Sequence, residues 1–109
     1  MKRARSPRPA ARKGAALPTP DRLLHTPVRL GLVSILRRGP LTFTELKAAL
    51  AATDGNLSIH ARKLEVAGYV ACEKSFSGRI PKTRYRVTRK GRAALAKYLA
   101  DMEAFLGGT

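Results

Sequence analysis

The sequence predicts an α+β fold, mainly helical, in one small domain over residues 21–109 that follows a basic tail. Three observations predict it. Apolar residues recur at helical spacing in four separate stretches. The period changes to two only between Tyr69 and Val87. The first twenty residues hold one large apolar side chain, Leu17, and so have little to bury. A chain of 109 residues with 44% hydrophobic content suits a single core.

Residues 1–20 carry six Lys/Arg, four Pro, five Ala and no acid, and are expected to be a disordered basic tail. Structure is expected from Asp21. Thr26-Pro27 has the form of an N-cap followed by proline at the first helical position. Val28, Leu32, Ile35 and Leu36 then share one face, and Arg37-Arg38-Gly39-Pro40 ends the helix. Leu41 fits a very short strand. Thr42-x-x-Glu45 is a capping box, opening a short helix over about 43–50 with Phe43, Leu46 and Leu50 inward. Ala51-Ala52 make a tight turn, and Thr53 or Asp54 caps a third helix that stops at Gly68. Leu57, Ala61 and Leu64 form its inward stripe.

Tyr69–Phe76 and Thr83–Val87 alternate as strands, with Tyr85 and Val87 on one face and Arg84 and Arg86 on the other. Between them Ser77-Gly78-Arg79-Ile80-Pro81-Lys82 has the composition of a six-residue loop with a basic tip. Thr88 caps a last helix over 88–106, along which Leu95, Tyr98, Leu99, Met102, Phe105 and Leu106 follow helical spacing. The order helix, minimal strand, two short helices, hairpin, helix is that of a winged helix-turn-helix.

The residues also resemble a family directly. His25-Thr26-Pro27-Val28-Arg29-Leu30, Phe43-Thr44-Glu45-Leu46, Thr53-Asp54-Gly55-Asn56-Leu57-Ser58 and Arg62-Lys63-Leu64-Glu65-x-x-Gly68-Tyr69-Val70 look like the small prokaryotic winged-helix regulators related to the MarR and ArsR classes. So does Gly78-Arg79-x-Pro81-x-Thr83-x-Tyr85-x-Val87-Thr88-x-x-Gly91. The resemblance covers about residues 22–106. It implies a homodimer that binds operator DNA and regulates transcription. Where that family commonly has a basic residue after Ser58, this chain has Ile59.

Charge points the same way. Twenty-two Lys+Arg against seven Asp+Glu give a formal charge of +15. Such a chain repels itself when compact, and a polyanionic partner explains the excess. No apolar run is long enough to span a bilayer, so double-stranded DNA in the cytoplasm, on the nucleoid, is the expected partner rather than a membrane.

The DNA-binding residues expected on the third helix are Thr53, Gly55, Asn56, Ser58, Ile59, Arg62 and Lys63. Those expected on the hairpin are Arg79, Lys82, Arg84 and Arg86. A core this small should not need the whole stripe of the last helix. Leu95, Tyr98, Leu99, Met102, Phe105 and Leu106 are therefore expected to meet a second copy.

No metal, cofactor or catalysis is expected. His25, His60 and Cys72 lack metal-ligand spacing, His60 suits a structural hydrogen bond, and Cys72 suits a small core residue. The chain has no glycine-rich phosphate loop and no plausible catalytic triad. The residues assign no small-molecule effector.

Overall fold

The computed structural model describes residues 20–107. The tail expected over 1–20 lies outside those residues except for Pro20. The elements in order are α1 (Pro27–Leu36), β1 (Leu41–Thr42), α2 (Phe43–Leu50), α3 (Asp54–Val66), β2 (Val70–Ser77), β3 (Ile80–Val87) and α4 (Arg89–Gly107). The strands form one antiparallel sheet in the order β1-β3-β2, the α+β winged helix expected.

Local chemistry sets the element boundaries. The Thr42 hydroxyl accepts from the Glu45 amide (3.1 Å) while the Glu45 carboxylate accepts from the Thr42 amide (2.8 Å), a complete capping box. Ala51 takes a left-handed conformation (φ 51°) and turns the chain between α2 and α3. The Thr53 hydroxyl caps α3 by accepting from the Asn56 amide (3.2 Å). At α4 the Thr88 hydroxyl accepts from the Gly91 amide (3.0 Å) and donates to the Gly68 carbonyl (2.6 Å), tying the helix start to the foot of β2. Thr26 holds the N-cap position of α1 with Pro27 behind it, but its hydroxyl makes no cap bond. It accepts from Arg29 Nη2 at 2.8 Å instead.

The core gathers Leu24, Leu32, Val33, Leu36, Leu46, Leu57, Ala61, Leu64, Val70, Val87, Leu95 and Tyr98, all buried. Apart from Leu24, which precedes α1, those residues come from every helix and from the two long strands, so α3 and the hairpin are fixed to one body. Asp21 and Leu24 pin the start of the domain: Leu24 is fully buried, and the Tyr69 hydroxyl donates to the Asp21 carboxylate. Burial and that bond push the Tyr69 phenol up to about 12.

Three expectations are corrected. The loop of six between the strands is a turn of two, Gly78-Arg79, because Ser77 pairs with Ile80, Phe76 with Pro81 and Ser75 with Lys82. Leu95 and Tyr98 face the protomer's own core, where Tyr98 also hydrogen-bonds His25 (2.9 Å), so neither is free to meet a second copy. Cys72 is half-buried rather than in the core, opposite Tyr85 across the ribbon.

Candidate nucleic-acid interface

α3 turns Leu57, Ala61 and Leu64 into the core and leaves Gly55, Asn56, Ser58, Ile59, Arg62 and Lys63 on the solvent side. With side chains every 100° around a helix, the inward stripe fixes the outward one. Ile59 is 56% exposed on this outward face. Lys47 and Asp54 join α2 to α3 through an exposed ion pair (2.6 Å), which contributes little in water. A stronger tether lies beneath. Nδ1 of His60 meets Nη1 of Arg29 at 3.0 Å, and Arg29 Nε donates to the Leu23 carbonyl, so α3 is bonded through α1 to the domain's first residues.

The hairpin is a two-stranded ribbon eight residues long on each side. Gly78 has φ 67° and Arg79 does not share a positive φ, the pattern of a II′ turn whose first position favours glycine. Arg79 therefore stands at the apex. Glu73 lies opposite Arg84 and pairs with Arg86 (2.8 Å), so one acid offsets part of the positive face. Among the described residues no ion pair engages Arg79, Lys82, Arg84, Arg62 or Lys63.

An open groove of about 1020 Å³ separates α3 from the ribbon. It brings Ser58 and Arg62 together with Lys82, while the first turn of α2 lines its other side. The sequence reading missed Lys74, which also lines the groove, because it sat inside a strand rather than at the basic tip. Glu45 faces this groove too. Its carboxyl is held below the usual range by the Thr42 amide first and the Thr42 hydroxyl second, with Arg84 and Lys82 adding to the effect. Burial pushes the Tyr85 phenol up at the groove's inner end, helped by neighbouring Cys72 and Glu65. Among the described residues no three His, Cys, Asp or Glu side chains gather as a metal site, and no helix is long and apolar enough to cross a membrane.

An exposed helix following a tight helix-helix turn, flanked by a cation-bearing ribbon, defines a helix-turn-helix nucleic-acid-binding protein with a wing. Residues 28–106 match the family of the winged helix DNA-binding domain, and the chain belongs to that family. The resemblance to small winged-helix regulators is sustained by its relatives. A transcriptional regulator homologue from Pyrococcus horikoshii is 33% identical with a TM-score of 0.73, over 79% of this chain and 86% of that one. A PadR-family transcriptional regulator from Eggerthella lenta is 30% identical with a TM-score of 0.63, over 74% of this chain and 75% of that one. The fold is also that of PadR from Bacillus subtilis, solved with operator DNA (18% identical, TM-score 0.61, 66% of this chain and 46% of that one). An uncharacterised protein of Methanocaldococcus jannaschii is 44% identical over 61 residues, a match spanning 55% of this chain and 65% of that relative's length.

Proposed function

We propose that this protein is a sequence-specific transcriptional regulator in the cytoplasm, associated with the nucleoid, that binds double-stranded DNA as a homodimer without catalysis. α3 enters the major groove, and the wing lies on the adjacent minor groove and backbone. The observation that carries this reading is the outward face of α3: Gly55, Asn56, Ser58, Ile59, Arg62 and Lys63 are all exposed on one helix, with the wing cations Arg79, Lys82 and Arg84, free of ion pairs among the described residues, on the ribbon beside it. Thr53 belongs to the same site as the cap that fixes where the helix starts.

The second copy is expected on α4. With Leu95 and Tyr98 in the core, the outward apolar residues are Leu99, Phe105 and Leu106, at 48%, 45% and 75% exposure, with Met102 half-buried beside them. A two-fold axis through that helix would present two α3 helices to one side of a duplex. The charge of +15 favours a second reading, a sequence-tolerant architectural protein. Selection of bound sequences from a random duplex pool separates the two. A regulator enriches one motif at least about a thousandfold over non-specific DNA. Binding without enrichment supports the architectural reading, and no binding at any salt rejects both.

A further inference from the structure

Phe76 stands 72% exposed near the end of β2, on the ribbon face that looks into the groove. Alternation places it there. Cys72 and Lys74 line the groove, and Phe76 follows them with the same parity on the same strand. Across the ribbon, Tyr85 lies opposite Cys72 and Pro81 opposite Phe76. At the inner end Tyr85 meets Phe43 of α2, with ring centroids 6.5 Å apart and planes tilted by 45°. Aromatic rings therefore mark both ends of this face. Cys72 and Phe76 are four residues apart, roughly 13 Å along the strand. Lys74 and Lys82 lie along that span, and Arg62 faces them from α3. None of these three cations has an ion pair among the described residues. Of the two acids that line the groove, Glu45 is engaged by the Thr42 amide, which leaves the cations in excess.

We propose that this groove holds a segment of single-stranded nucleic acid. Bases stack on Phe76 at the outer end and against Tyr85 and Phe43 at the inner end, while the backbone follows Lys74, Lys82 and Arg62. Duplex DNA has no use for such a surface. Its bases are paired and stacked, so their flat faces are covered, and its backbone gives an aromatic ring nothing to stack on. A single strand exposes both of the features this groove can bind: flat faces for the rings and phosphates for the cations. The span suits roughly four nucleotides, the short end of known single-strand sites. Every base has such a face, so binding tolerates any sequence. Charge argues against a second copy as the occupant, since a chain of +15 would bring cations against this row. Arg62 and Lys82 also belong to the duplex reading, so the two nucleic acids compete for them. Phe76 and Lys74 do not, and they separate the two activities.

The test is fluorescence anisotropy of the full chain with labelled oligo-dT, oligo-rU and a duplex across a salt series. The proteins are wild type, Phe76→Ala and Lys74→Ala, with urea midpoints as a check that each folds. Wild type should bind at least one of the two single strands, and the tighter one names the strand it meets. Phe76→Ala should weaken that binding about tenfold, as the loss of one stacked base does. A neutral side chain releases no counterions, so its salt slope should stay unchanged. Lys74→Ala should lower the single-strand slope by about 0.7, as one lost phosphate contact does. Duplex affinity should be the same for Phe76→Ala as for wild type. Duplex binding without single-strand binding overturns the proposal and leaves the duplex reading standing. Single-strand binding without duplex binding does the reverse. A Phe76→Ala variant that binds single strands as wild type does overturns the stacking, and so does one that weakens both nucleic acids equally. Sedimentation showing self-association that Phe76→Ala abolishes overturns the proposal in favour of a second copy.

Discussion

His60 on α3 accepts a hydrogen bond from Arg29 on α1, Nδ1 to Nη1 at 3.0 Å. An imidazole that accepts from a guanidinium must be neutral at that nitrogen. Burial, then the charges of Arg29 and Lys63, hold the His60 pKa below its ordinary value. The unfolded chain therefore binds more protons than the folded one in the window below the usual histidine range, and stability rises with pH across it. Acidification through about pH 6.5 towards the lowered folded value should progressively destabilise the domain. His60→Asn keeps an acceptor oxygen near the position of Nδ1 and removes the titration. Urea midpoints at pH 7.5 and pH 5.5 should diverge more for wild type than for His60→Asn. Equal divergence would mean that the Arg29 contact is not what the proton disrupts.

The start of α4 depends on the absence of a side chain at Gly91. A Cβ there would overlap the Tyr69 carbonyl and crowd a Val87 methyl. That same carbonyl accepts from the Thr88 amide at 3.0 Å, so it cannot move without loosening the join between sheet and helix. Gly91→Ala gains helix propensity but should still cost about 2 kcal/mol through overpacking. A lowered denaturant midpoint with an unchanged slope would show it, and an unchanged midpoint would mean that the helix start can shift freely.

The outer end of α4 makes a separate claim. Leu99 and Leu106 are exposed, and changing both to Asp should leave the protomer folded, because neither belongs to the core. Sedimentation should then show a monomer where wild type is expected to be a dimer, with operator affinity falling sharply as the paired half-sites are lost. A wild type that sediments as a monomer at tens of micromolar would remove this surface from the proposal.

Local signals were legible in the sequence and long-range ones were not. The Thr42–Glu45 box and the Leu57, Ala61 and Leu64 stripe depend on residues within a turn or two of each other, and both stand as expected. The wing turn was obscured because Ile80-Pro81-Lys82 carries proline and no alternation, which are loop signals. Pairing with Ser75–Ser77 makes that stretch strand all the same. Leu24 gave no signal because it precedes the first helix and has no periodic neighbour, yet it is fully buried. The stripe of α4 is continuous in sequence. Its division into core (Leu95, Tyr98) and surface (Leu99, Leu106) depends on where the helix leaves the body, which the packing of α1 and β3 against it decides.

The wing apex offers a test of groove shape. Narrow A·T-rich minor grooves concentrate negative potential, which favours an inserted guanidinium. Arg79→Ala should therefore weaken binding more on sites with A·T-rich flanks than with G·C-rich flanks. Equal loss on both would place Arg79 on phosphate alone.

Base reading should depend on the apolar residue of α3. Helix-turn-helix proteins read bases with the N-terminal part of the recognition helix. Here that part is Asp54-Gly55-Asn56-Leu57-Ser58-Ile59, which holds no Lys or Arg. Leu57 is in the core, and Asp54 pairs with Lys47, leaving Asn56, Ser58 and Ile59 outward. Arg62 and Lys63 follow in the third turn. Ile59 has no hydrogen bond to offer, and its matching partner in the major groove is a thymine methyl. Ile59→Ala should relax preference at one A·T pair in each half-site, by about 1 kcal/mol. Lys63→Ala should weaken all sites alike and lower the salt slope by about one, as a phosphate contact does. Both substitutions are at exposed positions, so neither should disturb the fold. Selections from a random pool with each variant decide between these roles. If Ile59→Ala keeps the wild-type motif while Lys63→Ala changes it, the helix sits in the groove rotated towards Lys63, and the thymine contact is lost from the proposal.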